Sequence, residues 1–396
     1  MRYVGTVVRG IRTPIIKEDT NLVDTVIDSV LKASEYEGFK FRNKDIIAIT
    51  EAVVGISEGN YVTVDDIATD VLNKFPEKNV GLVFPILSRN RFSMILKGIA
   101  RAMDKITILL SFPQDEVGNG IMDEEKLENS KYTKASIISE SEYKETFGDF
   151  IHPFTGINMV LFYKDLVEKE NCQVEFVFSN NAADILKYTN NVINCDIHTR
   201  YKTKEILQKQ NANVYGLYEI MNKPIGNSGY NPEYGLLGSN KATEERLKLF
   251  PKTGDKLVNE IKNKMFEITG KNVEVMVYGD GAFKDPVGKI WELADPVVSP
   301  AYTDGLVGTP NELKLKYLSD NKYDNLRGEE LAQAIKKEIN EKKSNLTGNM
   351  LSQGTTPRRL TDLIGSLCDL TSGSGDKGTP VVYIQGYFDN YASEEK

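Results

Sequence analysis

The sequence predicts a globular α+β fold in which strands and helices mix, with a module of different character set into its middle, and three observations carry that expectation. At 40% hydrophobic and 27% charged residues over 396 positions, the chain can build two or three compact units. Short runs rich in β-branched residues alternate with stretches whose apolar positions recur at helical spacing. From about residue 81 to 225, Lys- and Asn-rich segments separate the strands, whereas the final third is far more regular.

Tyr3 to Val8 reads as a strand, and Leu22, Val23, Val26, Ile27 and Val30 then mark one face of a helix. Asp45 to Thr50 is a strand, and the following Glu51 to Gly59 ends in turn chemistry. Within the middle region, Lys105 to Leu110 and Val174 to Phe178 are strands, and the basic Lys202 to Asn213 is a solvated helix surface. Asp255 is placed to cap a helix carrying Leu257, Val258, Ile261, Met265 and Ile268, which Gly270 stops. Asn272 to Tyr278 is a strand that delivers Asp280, between Gly279 and Gly281, at its carboxyl end, where α/β proteins place their sites. Thr356 and Pro357 open a last helix with an apolar stripe from Leu360 to Cys368 and with Arg358, Asp362 and Asp369 opposite. A glycine-rich loop to Gly378 and a strand from Pro380 to Gln385 follow.

With 49 basic against 57 acidic residues the net charge is −8, which argues against a nucleic-acid or anionic-membrane surface. The first twenty residues are broken by Arg2, Arg9, Arg12 and Lys17, so no secretory signal is expected, and no run approaches the roughly 18 apolar residues of a membrane span. Cys172, Cys195 and Cys368 are widely spaced, which fits neither a disulfide framework nor a zinc site and suits a reducing cytoplasm.

Gly373, Gly375 and Gly378 match G-x-G-x-x-G, but between a helix and a strand, the reverse of the dinucleotide-binding order, and the Lys-Ser/Thr pair of a P-loop is missing. That leaves a loop closing over a ligand or a plain flexible turn. Two histidines, His152 and His198, make no paired-ligand pattern, so metal chemistry would rest on carboxylates and hence on hard cations and phosphates. Asp280 is the best placed, with Asp285, Glu233 and Asp304 behind it; the plain alternative for each is a surface residue that starts a turn.

Taken in order, several segments resemble the γ-glutamyl ligases that elongate the deazaflavin coenzyme F-420. Asp45 to Gly59 is similar to their amino-terminal signature, and Tyr234 to Asn240 to an Asp-x-x-Asn region. Thr269 to Asp280 resembles the strand bearing a metal aspartate, and Asp362 to Gly386 the closing helix, loop and strand. Gly10 to Lys17 resembles the first nucleotide-contacting turn. The resemblance covers about residues 1 to 80 and 226 to 390, with the middle as an insertion. It implies a mixed α+β fold, a homodimer, GTP as co-substrate, and Mg2+ or Mn2+. It also implies transfer of the γ-phosphoryl group to a carboxylate, followed by attack of a glutamate amine. Carried over, Gly10, Ile11, Pro14, Glu58, Asn240 and Gly375 fall on the nucleotide, and Asp280, Glu233 and Asp362 on the metal. No catalytic residue is assigned.

The departures are specific. Ile56 stands where the family has a phosphate-contacting lysine and Leu237 where it has a metal aspartate, leaving Glu233 as the nearest acid, while Lys284 is the nearest replacement for an arginine after Asp280. The expected partners are a nucleotide and a small anionic substrate, held by Arg89, Arg91 and His198 of the insertion together with Lys284. The rival expectation is a paralogue that binds a phosphorylated ligand without the ligase reaction, or with a different one.

Overall fold

Five strands form the sheet on which the candidate site is built, in the order Val7–Ile11, Val381–Gln385, Ile46–Thr50, Glu274–Tyr278, Ala301–Tyr302. The structure, a computed structural model, describes residues 3–153, 155–280, 295–346, 348–352, 358–372 and 376–393, and the backbone of 283–284 and 291–292. Ile46–Thr50 and Glu274–Tyr278 run parallel, with Ile46 opposite Glu274 and Thr50 opposite Tyr278; the other pairings are antiparallel. Both faces of this sheet are covered, which is why its strands read as unbroken apolar runs. Ile47, Ile49, Val275 and Val277 pack against helices Leu22–Glu37 and Gly254–Thr269, and Ile46, Ala48, Met276 and Tyr278 against helix Leu360–Ser372.

The first strand begins at Val7 rather than Tyr3 because its partner ends at Gln385, opposite Val7, and Gly386 turns away with φ +75°. Helix Gly254–Thr269 ends at Gly270, in the left-handed region at φ +66°, as its sequence predicts. Its N-cap, however, is Thr253; Asp255 sits in the first turn, where its charge complements the helix dipole. Asp45 is consumed structurally. Its buried carboxylate accepts hydrogen bonds from the Arg42 amide at 2.8 Å and from the Tyr383 hydroxyl, which ties the start of one strand to its neighbour.

A second sheet has six strands in the order Ile138–Ser139, Gln173–Phe178, Lys105–Leu110, Asn79–Val83, Asn191–Asn194, Asn213–Gly216, all parallel except the first. In chain order the parallel strands lie third, second, first, fourth, fifth. This doubly wound arrangement reverses direction between Asn79–Val83 and Asn191–Asn194. A three-stranded sheet of Ser239–Lys241, Arg246–Leu249 and Tyr61–Thr63 joins the two bodies, and one apolar cluster runs from Val62 to Leu249. At the neck the buried Asn60 side chain donates to the carbonyls of Tyr230 at 3.0 Å and Phe250 at 2.7 Å, holding the outgoing and returning chain together. The whole is α+β with mixed sheets. The three cysteines are free and buried, and among the described residues no helix is long and apolar enough to cross a membrane.

Candidate active site

The parallel strands Ile46–Thr50 and Glu274–Tyr278 end side by side, and their carboxyl ends open into a cleft of about 740 Å3. Thr50 and Glu51 enter it from one strand and Gly279 and Asp280 from the other. The turn at Pro14, the hairpin bearing Asn240 and Lys248, and Asp369 of the last helix complete its walls.

Arg91 crosses from the second body to the rim of this cleft. It follows the loop after strand Asn79–Val83, at the point where the doubly wound sheet reverses. Its Nη2 lies 2.5 Å from Asp295 Oδ1 and 3.4 Å from Asp280 Oδ2, and its Nε and Nη2 each lie 3.4 Å from Asn240 Oδ1. Burial opposes the guanidinium charge, but Asp295 and then Asp280 hold it above its ordinary value. Asp295 is itself only 1% exposed and accepts the Asp280 amide at 2.8 Å. A Cβ at Gly279 would stand 2.6 Å from Asp295 Oδ2, so the glycine before Asp280 is what lets this second carboxylate approach the strand end.

The Asp280 carboxyl is pushed up to about 7, by desolvation in the cleft and then by the negative charge of Asp295, with Asp369 and Glu51 adding and Arg91 opposing. Its side chain keeps 58% of its surface open to solvent, so neighbouring like charge is the more durable of these causes. On the facing wall, Lys248 Nζ donates to both Glu51 carboxylate oxygens at 2.8 Å. Burial raises the Glu51 carboxyl and Lys248 draws it down.

The cleft brings together Pro14, Asn240 and Asp280 of the residues singled out in the sequence, with Arg91 at its rim. Gly10 and Ile11 line a neighbouring groove of about 720 Å3, which Pro14 also borders. Glu58 lies elsewhere: its carboxylate accepts the amides of Lys252 at 2.8 Å and Thr253 at 3.0 Å at the start of helix Gly254–Thr269. Glu233 borders a separate pocket of about 360 Å3, and Asp362 is not among the cleft-lining residues, whereas Asp369, two turns further along the same helix, is. Arg89 and His198 are exposed and outside the lining; His198 donates its amide to Glu116 Oε2 at 3.1 Å. Asp304 is an exposed residue opening a short turn. Asp285, Gly375 and the Lys284 side chain lie outside the described residues.

Glu51, Lys248 and Asp295 are not among the residues singled out from the sequence, and Asp369 appears there only as the polar side of its helix. A signal existed for Lys248, a cation set between the apolar Leu247 and Leu249-Phe250. Asp295 carries no such mark, being one of several acids near glycines and prolines. Ile56 borders the cleft but brings no charge, and Leu237 is buried in the apolar cluster of the joining region, where it cannot ligate an ion.

With this geometry in place, the sequence model of the F420-0:Gamma-glutamyl ligase family is found to fit residues 10–386 of the chain. No curated protein matches it.

Proposed function

The chain belongs to the F420-0:gamma-glutamyl ligase family, and from that premise we propose that its cleft joins glutamate to a carboxylate-bearing acceptor through an acyl phosphate, with GTP as phosphoryl donor and Mg2+ or Mn2+ as companion ion. A carboxylate is a poor electrophile. Transfer of the γ-phosphoryl group to one of its oxygens, with GDP leaving, converts that oxygen into part of a leaving group. The glutamate nitrogen then attacks the acyl carbon, the C–O bond to phosphate breaks, inorganic phosphate departs with the electron pair, and the nitrogen loses a proton.

One observation supports the cation requirement above the others. Glu51, Asp280, Asp295 and Asp369 set four negative charges around the cleft against Arg91 and Lys248, and Lys241 on the same cleft is offset by Glu244, so the balance of fully ionised groups is 3 − 5 = −2. A triphosphate entering alone would meet repulsion; entering with a divalent cation it brings the missing positive charge. Among the described residues no three Asp, Glu, His or Cys side chains are grouped to hold an ion unaided. The donor set therefore fits a hard cation that takes one or two carboxylates, Asp280 and Asp369, and otherwise phosphate and water oxygens. When bound, that ion would supply charge neutralisation at the phosphoryl oxygens. Asn240 and Arg91 keep Asp280 in place, and Arg91 gives the inserted module a share in the acceptor side.

Thermal shift with GTP or ATP, each with and without Mn2+, tests the reading, because binding to the folded state raises the midpoint by mass action. A rise that needs both GTP and Mn2+, together with glutamate-dependent phosphate release, is the expected result. Ile56 and the buried Leu237 favour the second reading, a paralogue that binds a phosphorylated ligand without transferring phosphate. It predicts the thermal shift without phosphate release.

A further inference from the structure

We infer that Lys248 is the anion anchor of the cleft, the ammonium that receives the phosphate oxygens of the incoming ligand. The inference deepens the nucleotide-dependent reading above and rests on it. Lys248 comes from the strand Arg246–Leu249, whose neighbours Leu247 and Leu249 are fully buried, and its own side chain keeps only 9% of its surface exposed. The stem lies across the helix Glu51–Ser57: a Cβ at Gly55 would stand 3.3 Å from Lys248 Cγ and Cδ and 2.8 Å from the Leu249 carbonyl oxygen. Glycine at this position is therefore what admits a lysine to the wall that Ile56, the next residue, leaves uncharged.

An ammonium carries three donors. Two fall on Glu51, at 2.8 Å each, and the third has no partner among the described residues, although the side chain borders the cleft. A buried ion pair is costly to assemble and is easily replaced by apolar groups, so its presence at a cleft wall is better explained by what the charge can receive. Glu51 then acts as the counter-charge that holds the Lys248 side chain in place while no ligand is present. The other lysine on the cleft, Lys241, is spent on the exposed Glu244 at 2.6 Å.

Calorimetric titration with Mn2+-tripolyphosphate and Mn2+-GTP tests the assignment in the full chain. Lys248→Met should weaken both by about tenfold or more, as expected for a lost charged contact. Because that variant leaves Glu51 buried and unpaired, the double variant Glu51→Gln with Lys248→Met is measured beside it; it removes both charges, and its cooperative thermal melt reports folding. Weakened binding by the folded double variant supports the anchor. Binding within twofold of the parent chain overturns it while leaving the nucleotide reading intact. Failure of the parent chain itself to bind either ligand overturns that reading, and the anchor with it.

Discussion

Arg91 and Asp280 meet at 3.4 Å although 189 residues separate them, and the guanidinium that reaches Asp280 is held from behind by Asp295 at 2.5 Å. The body of the six-stranded sheet therefore contributes a charge beside a cleft that opens at the ends of two strands of the other sheet. Arg91→Met would leave Asp295 buried without a counter-charge, at a cost of about 3 to 5 kcal/mol in urea unfolding. Adding Asp295→Asn should recover most of that loss. If the double variant stays as unstable as the single one, the pair is not what holds the two bodies together here.

Asp280 lines the cleft, and Asp362 is not among its lining residues. Asp280→Asn is expected to lower Mn2+ affinity by about tenfold or more in calorimetry, as loss of a charged contact does, with Asp369→Asn in the same direction and Asp362→Asn without effect. Equal losses for Asp362 and Asp369 would show that the helix Leu360–Ser372 presents a different face to the ligand.

Carboxyls held above their ordinary range make the protein less stable as pH rises, and Glu116 and Asp280 do so with Asp45, Glu51 and Asp115 in the same direction. Glu116 is raised from 4.5 to about 8, by burial and then by Asp196, and Asp280 from 3.8 to about 7, by desolvation and then by Asp295. In the unfolded chain both ionise near their ordinary values, so between about pH 4 and 8 the folded state holds protons that the unfolded state has released. The urea midpoint should fall from pH 5 to pH 8.5, and Glu116→Gln should flatten the fall. A midpoint independent of pH in this window would contradict the placement of Glu116 against Asp196.

Gly279→Ala tests how closely Asp295 approaches the strand end. The added methyl would stand 2.6 Å from a carboxylate that cannot retreat without losing the Asp280 amide, and a destabilisation of about 1 to 3 kcal/mol is expected from such overpacking. Gly270→Ala places an alanine at a positive φ with open space around it and makes a useful contrast, because it costs through backbone conformation alone.

The sequence made legible what depends on neighbours along the chain. Strands Ile46–Thr50 and Glu274–Tyr278 and helix Gly254–Thr269 follow from local apolar pattern and stop signals, and Asp280 declares its place by closing a strand between glycines. The charge partners were not legible, because Lys248 reaches Glu51 across 197 residues and nothing local marks the approach. Asp362 and Asp369 share one helical face; only the seating of that helix on the sheet decides which of them reaches the cleft. The doubly wound order of the six-stranded sheet was hidden for the same reason, since strand order is a matter of crossover connections and not of composition.

The neck at Asn60 also dictates an order of assembly. The parallel strands of the six-stranded sheet all fall between residues 79 and 216, while the five-stranded sheet must bring Asp45 to Tyr383 across 338 residues of chain. Contacts of such high sequence separation are slow to close, because loop entropy opposes them until much of the chain is already compact. The body of the six-stranded sheet is thus expected to fold first during synthesis, and its completion would shorten the effective loop between Thr50 and Glu274. The active-site cleft is consequently the last region to gain protection in pulse-labelled hydrogen exchange, after Val381–Gln385 has left the ribosome and slotted between the first two strands.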